Sequence, residues 1–354
     1  MEINNDIFSE EARINIKNEI IKDLTPYFKN KDLLAQYALS DGIYSVFEYV
    51  NKYKEDSEFS QGLNQILFCY QNASVINSKM VLELMMESHE ESVNRENIMW
   101  SLKQKEIGDE EETYDKIMFY FDYIGTGLEV SVKGIVNELY ALIRLINGKS
   151  YDYEKICKLD FGIVINNILD KGYFKDILEI QSLKLSDWRN IAKHHSYKIR
   201  GEEITCIYGK DKKIFIMTYD DLLDYTYKIT RSSNILNIAR CIFVYDNLSA
   251  ISLLPKKIRT IPFREKMVIK QVITTMALHG FKIGKFERKD RVLNLELIDL
   301  QQNMVGDNFI QLREACYCKI LQERWGMLEV DRINIKYFDI EGEIVDALWL
   351  EPIS

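Results

Sequence analysis

The sequence predicts a mainly α fold: a central helical bundle carrying a short β-hairpin, preceded by N-terminal helices and followed by a small α/β domain. Three observations predict it. Four prolines and sixteen glycines in 354 residues are too few for a loop-rich all-β chain. Apolar residues recur three and four apart over much of the first 250 positions. Period-two alternation is confined to short stretches near residues 203–218, 282–297 and 333–350.

Taken in order, residues 1–111 read as an N-terminal helical region, with helical spacing over 33–50 and 59–86. That region closes on GDEEE at 108–112, a charge run of the kind that forms a solvated loop. Residues 112–250 form the second block. A long helical pattern covers 114–147, with Gly125 and Gly127 as the place for a bend. The apolar piece KLDFGIVINNIL at 158–169 follows, then LSDWRNIAKHHSY at 185–197. Alternation on both sides of GKDKK predicts a hairpin, and Thr218 is placed to N-cap a helix running towards Val244. Two of the four prolines lie within 251–265, which marks a boundary before the α/β segment 251–354. There the pattern gives a helix over 266–278, strands over 282–297, a helix over 307–325 and a closing hairpin that turns at Glu341 and Gly342.

Composition excludes several functions. A formal net charge of −9 argues against a basic nucleic-acid coat. The N-terminus MEINNDIFSEEAR is acidic and has no apolar h-region, and no run of 18 apolar residues occurs, so neither a signal peptide nor a membrane span is expected. The six cysteines are scattered without a CxxC pair, and no HExxH or aspartate cluster appears. No metal or cofactor site is therefore expected, the thiols are expected to be reduced, and the protein is expected in the cytoplasm.

The chain has only four histidines, and two of them, His194 and His195, are adjacent. On a helix at about 100° per residue, Leu185, Trp188, Ile191, Ala192 and His195 share one side. That places His195 on the core face, packed beside Trp188. Asp187, Asn190 and His194 share a second side, where either polar side chain could fix the imidazole tautomer. Arg189 and Lys193 form a third edge. Arg189 and His194 stand about 140° apart, so a two-fold related copy of the helix is one way to complete a polar cleft. A histidine near a helix C-terminus, favoured by the helix dipole, is the plain alternative for His194. His89, in an acidic run, and His279, before Gly280 at a helix end, read as surface and capping residues.

The stretch from Arg189 to His194, RNIAKH, resembles the Rx4–6H motif of the HEPN superfamily, with a polar residue directly after the arginine. KLDFGIVINNIL resembles the glycine-containing helix that often precedes that motif, and the hairpin and long helix after it resemble the usual continuation. The resemblance covers about residues 113–250. It implies a HEPN-like helical bundle that dimerises through the motif helix. It also implies metal-independent endoribonuclease activity of the kind found in antiviral defence, abortive infection and toxin–antitoxin systems.

The residue chemistry suits that activity. Histidine titrates near neutrality and can move protons, and the arginine fork fits phosphate oxygens. The expected roles are His194 as general acid/base, Arg189 as phosphate and transition-state stabiliser, and Asn190 as orienter of His194 or phosphate ligand. Asp187, His195 and Lys193 are expected in support. A basic stretch over 256–291, including Lys256, Lys257, Arg259, Lys285, Arg288 and Lys289, is a candidate RNA-contacting face, or else a solvated face paired to the acidic N-terminal block. Phe281 and Phe286 lie within it and are either stacking residues or core. The expected partners are an RNA substrate (tRNA, rRNA or mRNA), a second copy of the chain, and an antitoxin or defence-system protein. The alternative is a non-catalytic HEPN-like module that binds RNA, nucleotide or a partner.

Overall fold

A computed structural model describes residues 10–88, 98, 112–254, 265–300, 307–328 and 330–351. Most of them are helical, as the composition predicts. None of the helices in this region is long and apolar enough to cross a membrane.

The chain opens with α1 (Glu10–Leu24), α2 (Lys31–Tyr37) and α3 (Asp41–Lys52). The apolar pattern over 33–50 is thus two helices, separated by a turn in which the Ser40 N–H donates to the Tyr37 carbonyl. Residues up to Glu48 form one compact unit with the C-terminal segment from Pro262, and residues from Tyr49 to Ile261 form another. This division differs from three consecutive segments 1–111, 112–250 and 251–354. The reason is packing. The Arg13 guanidinium donates to the His279 carbonyl and the Asp41 N–H to the Thr275 hydroxyl, so the first helices belong with the last segment.

The unit from Tyr49 to Ile261 holds the motif. Its first helix, α4 (Ser57–Glu87), starts on Asp56, whose carboxylate accepts from the Glu58 and Phe59 N–H groups. A non-helical Asn77 breaks α4, and its side chain accepts from Met80 N to restart it. The long pattern over 114–147 is one column: α5 (Thr113–Gly127), a π-helical turn (Leu128–Val132) and α6 (Lys133–Ile146). Lys133 N–H reaches back to the Leu128 carbonyl, five residues earlier, which adds one residue to that turn. The irregularity therefore falls just after the two glycines. α6 is buried on nearly every side from Gly134 to Ile143, including the polar Asn137 and Glu138.

A short α7 (Tyr153–Cys157) precedes the apolar run, which becomes α8 (Phe161–Leu169), followed by α9 (Lys175–Leu178). A two-stranded ladder, β1 (Glu179–Ile180) with β2 (Leu183–Lys184), leads into the motif helix α10 (Leu185–Lys193). The predicted hairpin is present as β4 (Glu203–Tyr208) and β5 (Lys213–Met217). β3 (Tyr197–Arg200) joins it antiparallel and makes a three-stranded sheet. Thr218 caps α11 (Tyr219–Asp246) through a reciprocal box with Asp221, as its sequence position predicts. A short α12 (Leu248–Ser252) follows.

The other unit ends in α13 (Glu265–Leu278), β6 (Phe281–Lys289), β7 (Val292–Asp299), α14 (Asp307–Leu328), β8 (Arg332–Phe338) and β9 (Ile344–Leu350). The sheet order is β6-β7-β8-β9; only the β7–β8 pair is parallel, with α14 as the crossover between them. Alternate residues of β7 and β8, Leu293, Leu295, Leu297, Ile333, Ile335 and Tyr337, pack under Val272, Met276, Tyr317 and Leu321 of the two helices. Phe281 is buried in this core and Phe286 packs against it, so neither offers a stacking surface. Asp299 and Arg313 form a buried pair at 2.6 Å, completed by the Tyr337 hydroxyl at 2.5 Å and by the Phe281 ring under the guanidinium.

Candidate functional site

α10 is held by its apolar side. Trp188 is fully buried, and its indole N–H donates to the Ile180 carbonyl at 3.2 Å. Leu185, Ile191 and Ala192 are buried on the same face. Burial of such side chains contributes roughly 1.5–3 kcal/mol each, which fixes which edge of the helix faces out. Gly125 on α5 lets the helices approach closely, since a Cβ there would lie 3.0 Å from the Ala192 Cβ. At the start of α10, Asp187 accepts from the Lys184 N–H and serves as a cap, well away from His194.

The helix ends at Lys193, and this decides both histidines. His194 is the C-cap (φ −99°, ψ 8°), and its N–H donates to the Asn190 carbonyl at 3.0 Å. His195 has φ 48°, in the left-handed region. Ser196 N–H reaches the Ile191 carbonyl at 2.9 Å and His195 N–H the Ala192 carbonyl at 3.4 Å, the bond pattern of a Schellman ending. His195 occupies the position that usually takes glycine. The expectation that it packs beside Trp188 fails because the backbone has left the helix before that residue. Its side chain is exposed, edge-on to the Tyr197 ring at 6.1 Å. Tyr197 itself stacks on Phe121 at 4.0 Å and donates to the Met118 sulfur; burial pushes its phenol up to about 12. His194 is exposed as well, and among the described residues no side chain hydrogen-bonds either imidazole.

Arg189 is held from two sides. Its Nε donates to Glu129 Oε2 at 2.5 Å, and an Nη1 hydrogen goes to the Asn190 side-chain oxygen at 2.9 Å. Asn190 is thus turned to the arginine rather than to His194. The other oxygen of Glu129 accepts from Lys133 at 2.9 Å. Burial pushes the Glu129 carboxyl up, but the hydrogen bonds from Arg189 and Lys133 outweigh it and hold it below the ordinary glutamate value. Two cations share one carboxylate, so the cluster keeps one net positive charge. Lys193 donates to the Thr126 hydroxyl at 2.9 Å, which ties the end of α10 to α5. At 22% exposure the Arg189 side chain still meets solvent, and Nη2 has no partner among the described residues.

Glu129, Lys133 and Thr126 are the residues that sequence reasoning does not find. Glu129 and Lys133 sit four apart, which shows as an ordinary helical ion pair. What brings Glu129 to Arg189, sixty positions away, is the π-turn on which it sits, and π-turns are frequent at functional sites. Of the predicted basic face, Lys285 and Lys289 are on β6 and Arg288 donates to the Asp290 carbonyl near the β6–β7 turn. Lys256, Lys257, Arg259 and His89 lie outside the described residues. His279 Nδ1–H donates to the Thr275 carbonyl at 2.8 Å, and burial lowers its pKa, in keeping with a structural helix-end histidine. Among the described residues no group of three or more His, Cys, Asp or Glu side chains converges in the manner of a metal site.

The chain matches no protein-family model, no curated protein and no solved structure.

Proposed function

We propose that this chain is a metal-independent endoribonuclease of HEPN type, working as a homodimer through α10 in the cytoplasm, in antiviral defence, abortive infection or as a toxin. The observation that carries the reading is the outer edge of α10. It presents an arginine held by Glu129 and Asn190 and, at its end, an exposed histidine whose ring is bonded to no other side chain among the described residues.

In the proposed reaction the ribose O2′ attacks the adjacent phosphorus as the P–O5′ bond breaks. His194 takes the 2′-hydroxyl proton, and the same histidine of the second protomer protonates the leaving O5′. The products are a 2′,3′-cyclic phosphate and a 5′-hydroxyl. In an in-line displacement O2′ and O5′ lie on opposite sides of phosphorus, so a single fixed imidazole does not reach both, which is the geometric reason to invoke two copies of the helix. Arg189 stabilises the phosphorane charge, and its two fixed hydrogen bonds reduce the ordering needed when phosphate arrives. Such positioned proton transfer contributes roughly 10²–10⁴-fold.

A second reading, a non-catalytic binding module, draws on the same Glu129–Arg189 contact, since a carboxylate already occupies one edge of the arginine. Cleavage of total tRNA and ribosomal RNA in EDTA, beside an Arg189→Ala/His194→Ala double variant, separates the two. Cleavage by wild type alone with cyclic-phosphate ends is the expected result. Equal cleavage by both proteins rejects the assignment, and binding without cleavage favours the module.

A further inference from the structure

The four-stranded sheet of the C-terminal segment has one face under α13 and α14. The register places the residues of the other face in rows. Trp349 of β9 stands opposite Asn334 of β8, which pairs with Asn294 of β7, which pairs with Glu287 of β6. The row beside it reads Ala347, Lys336, Glu296, Lys285, and the row on the other side holds Arg332, Val292 and Lys289. A bulge at Gly284 keeps Lys282 on this face, opposite Ile298.

Three features of the face have no structural need behind them. Trp349 is 65% exposed at the rim, although its strand neighbours Leu348 and Leu350 both pack against the core. An exposed indole is a large apolar surface left in water. Next to it, the Asn334 amide donates to the Asn294 oxygen at 3.0 Å, which fixes the orientation of both amides and leaves further donors and acceptors turned outward. Five cations, Lys282, Lys285, Lys289, Arg332 and Lys336, share the face with three carboxylates, Glu287, Glu296 and Glu351. Two of those carboxylates are already taken, by Lys285 at 2.8 Å and by Arg332 at 2.8 Å. The face is therefore positive within a chain of net charge −9.

We infer that this open sheet face binds single-stranded nucleic acid, with one base stacked on Trp349, base edges read by the Asn294–Asn334 pair, and phosphates met by Lys282, Lys289 and Lys336. The charge sign selects a polyanion, and an aromatic ring among amides and lysines suits unpaired bases. A duplex, whose bases are stacked on each other, cannot use the indole. Apolar area on this face is limited to Trp349 and the row Ile344, Phe338 and Ile298 beside Lys282, while the excess of lysines over the remaining rows favours a polyanion. The inference stands apart from the nuclease reading, because it uses no residue of α10 and asks only for binding.

The test is fluorescence anisotropy with full-length Arg189→Ala/His194→Ala protein, which removes cleavage, against labelled single-stranded oligouridylate, its DNA counterpart and an RNA duplex of equal length. Trp349→Ala is expected to weaken single-strand binding about tenfold or more, and Trp349→Phe to retain most of it. Lys282→Ala/Lys336→Ala is expected to weaken it and to flatten the salt dependence by about one phosphate contact per lysine. Equal affinity for RNA and DNA assigns the site to backbone and base faces, whereas an RNA preference adds the 2′-hydroxyl. An unchanged affinity in Trp349→Ala, no single-strand binding by the parent, or a preference for duplex overturns the inference and leaves the face to a protein partner. Thermal melts of each variant confirm folding, which the exposed positions favour.

Discussion

Two glutamate–arginine pairs sit along the same helical column, nine residues apart, and they differ in almost every respect. Glu138, on α6, is fully buried; both its oxygens accept from Arg240 Nε, at 2.9 and 3.1 Å. The Tyr70 hydroxyl donates to the same carboxylate, and Arg240 also reaches Ser88. Burial, with the Glu138 charge beside it, pushes the Tyr70 phenol far above its ordinary value. Burial alone would lower the Arg240 pKa, but the Glu138 charge outweighs it and raises the value, so the guanidinium stays charged. Glu129, on the π-turn, holds Arg189 with part of each side chain in water. The first pair is closed on itself and can only hold helices together. The second leaves one arginine nitrogen, one net charge and a neighbouring histidine facing out. The same two residue types are sealed in packing at one place and left partly open to solvent at the other.

Breaking the buried pair should have the largest effect. Glu138→Ala leaves Arg240 charged and buried, which costs roughly 3–5 kcal/mol, read as a lower urea midpoint. Gly125→Ala comes next, because its Cβ would press on Ala192 at 3.0 Å; overpacking there costs about 1–3 kcal/mol and loosens α10 on α5. Glu129→Gln should reverse the pattern seen at Glu138. Stability falls by about 1 kcal/mol or less, as for other partly exposed pairs, while RNA cleavage falls about tenfold through kcat with KM little changed. A faster Glu129→Gln enzyme would instead show that the carboxylate restrains Arg189.

The smallest effects concern strain and pH. His195→Gly relieves a non-glycine residue at φ 48° and should raise stability by up to about 1 kcal/mol, seen as a higher Tm. An unchanged Tm would mean that the His195 contact with Tyr197 offsets the strain. The Glu129 carboxyl is lower in the folded chain than in the unfolded one, so it adds stability above the ordinary glutamate pKa. That contribution should be lost as pH falls through the folded value, and Glu129→Gln should lack this acid-side slope in urea titrations.

Legibility varied with how local each feature is. Thr218 and Asp221 make their box within one turn, so the start of α11 is visible in four letters. The β4–β5 hairpin and the closing β8–β9 hairpin follow from alternation around a turn, with Gly342 at φ 87° in the second. The strand β3 is hidden because its four residues, YKIR, carry no periodicity that separates them from a helix end. The position of His195 is hidden for a related reason. The helical wheel is sound up to Lys193, and nothing in KHHSY announces a left-handed residue in the absence of glycine.

By itself, the sequence determined the helical class, most element positions and the apolar stripe through Trp188. Those features depend on neighbours within a few residues, where periodicity and capping chemistry act. Only the tertiary structure decided that the first helices join the last segment, that Asn190 serves Arg189, and that Glu129 is the partner of the arginine. It also decided that Trp349 stands exposed beside two asparagines from different strands. Each of these depends on residues tens or hundreds of positions apart, brought together by burial of the faces between them, and no local pattern records which faces will meet.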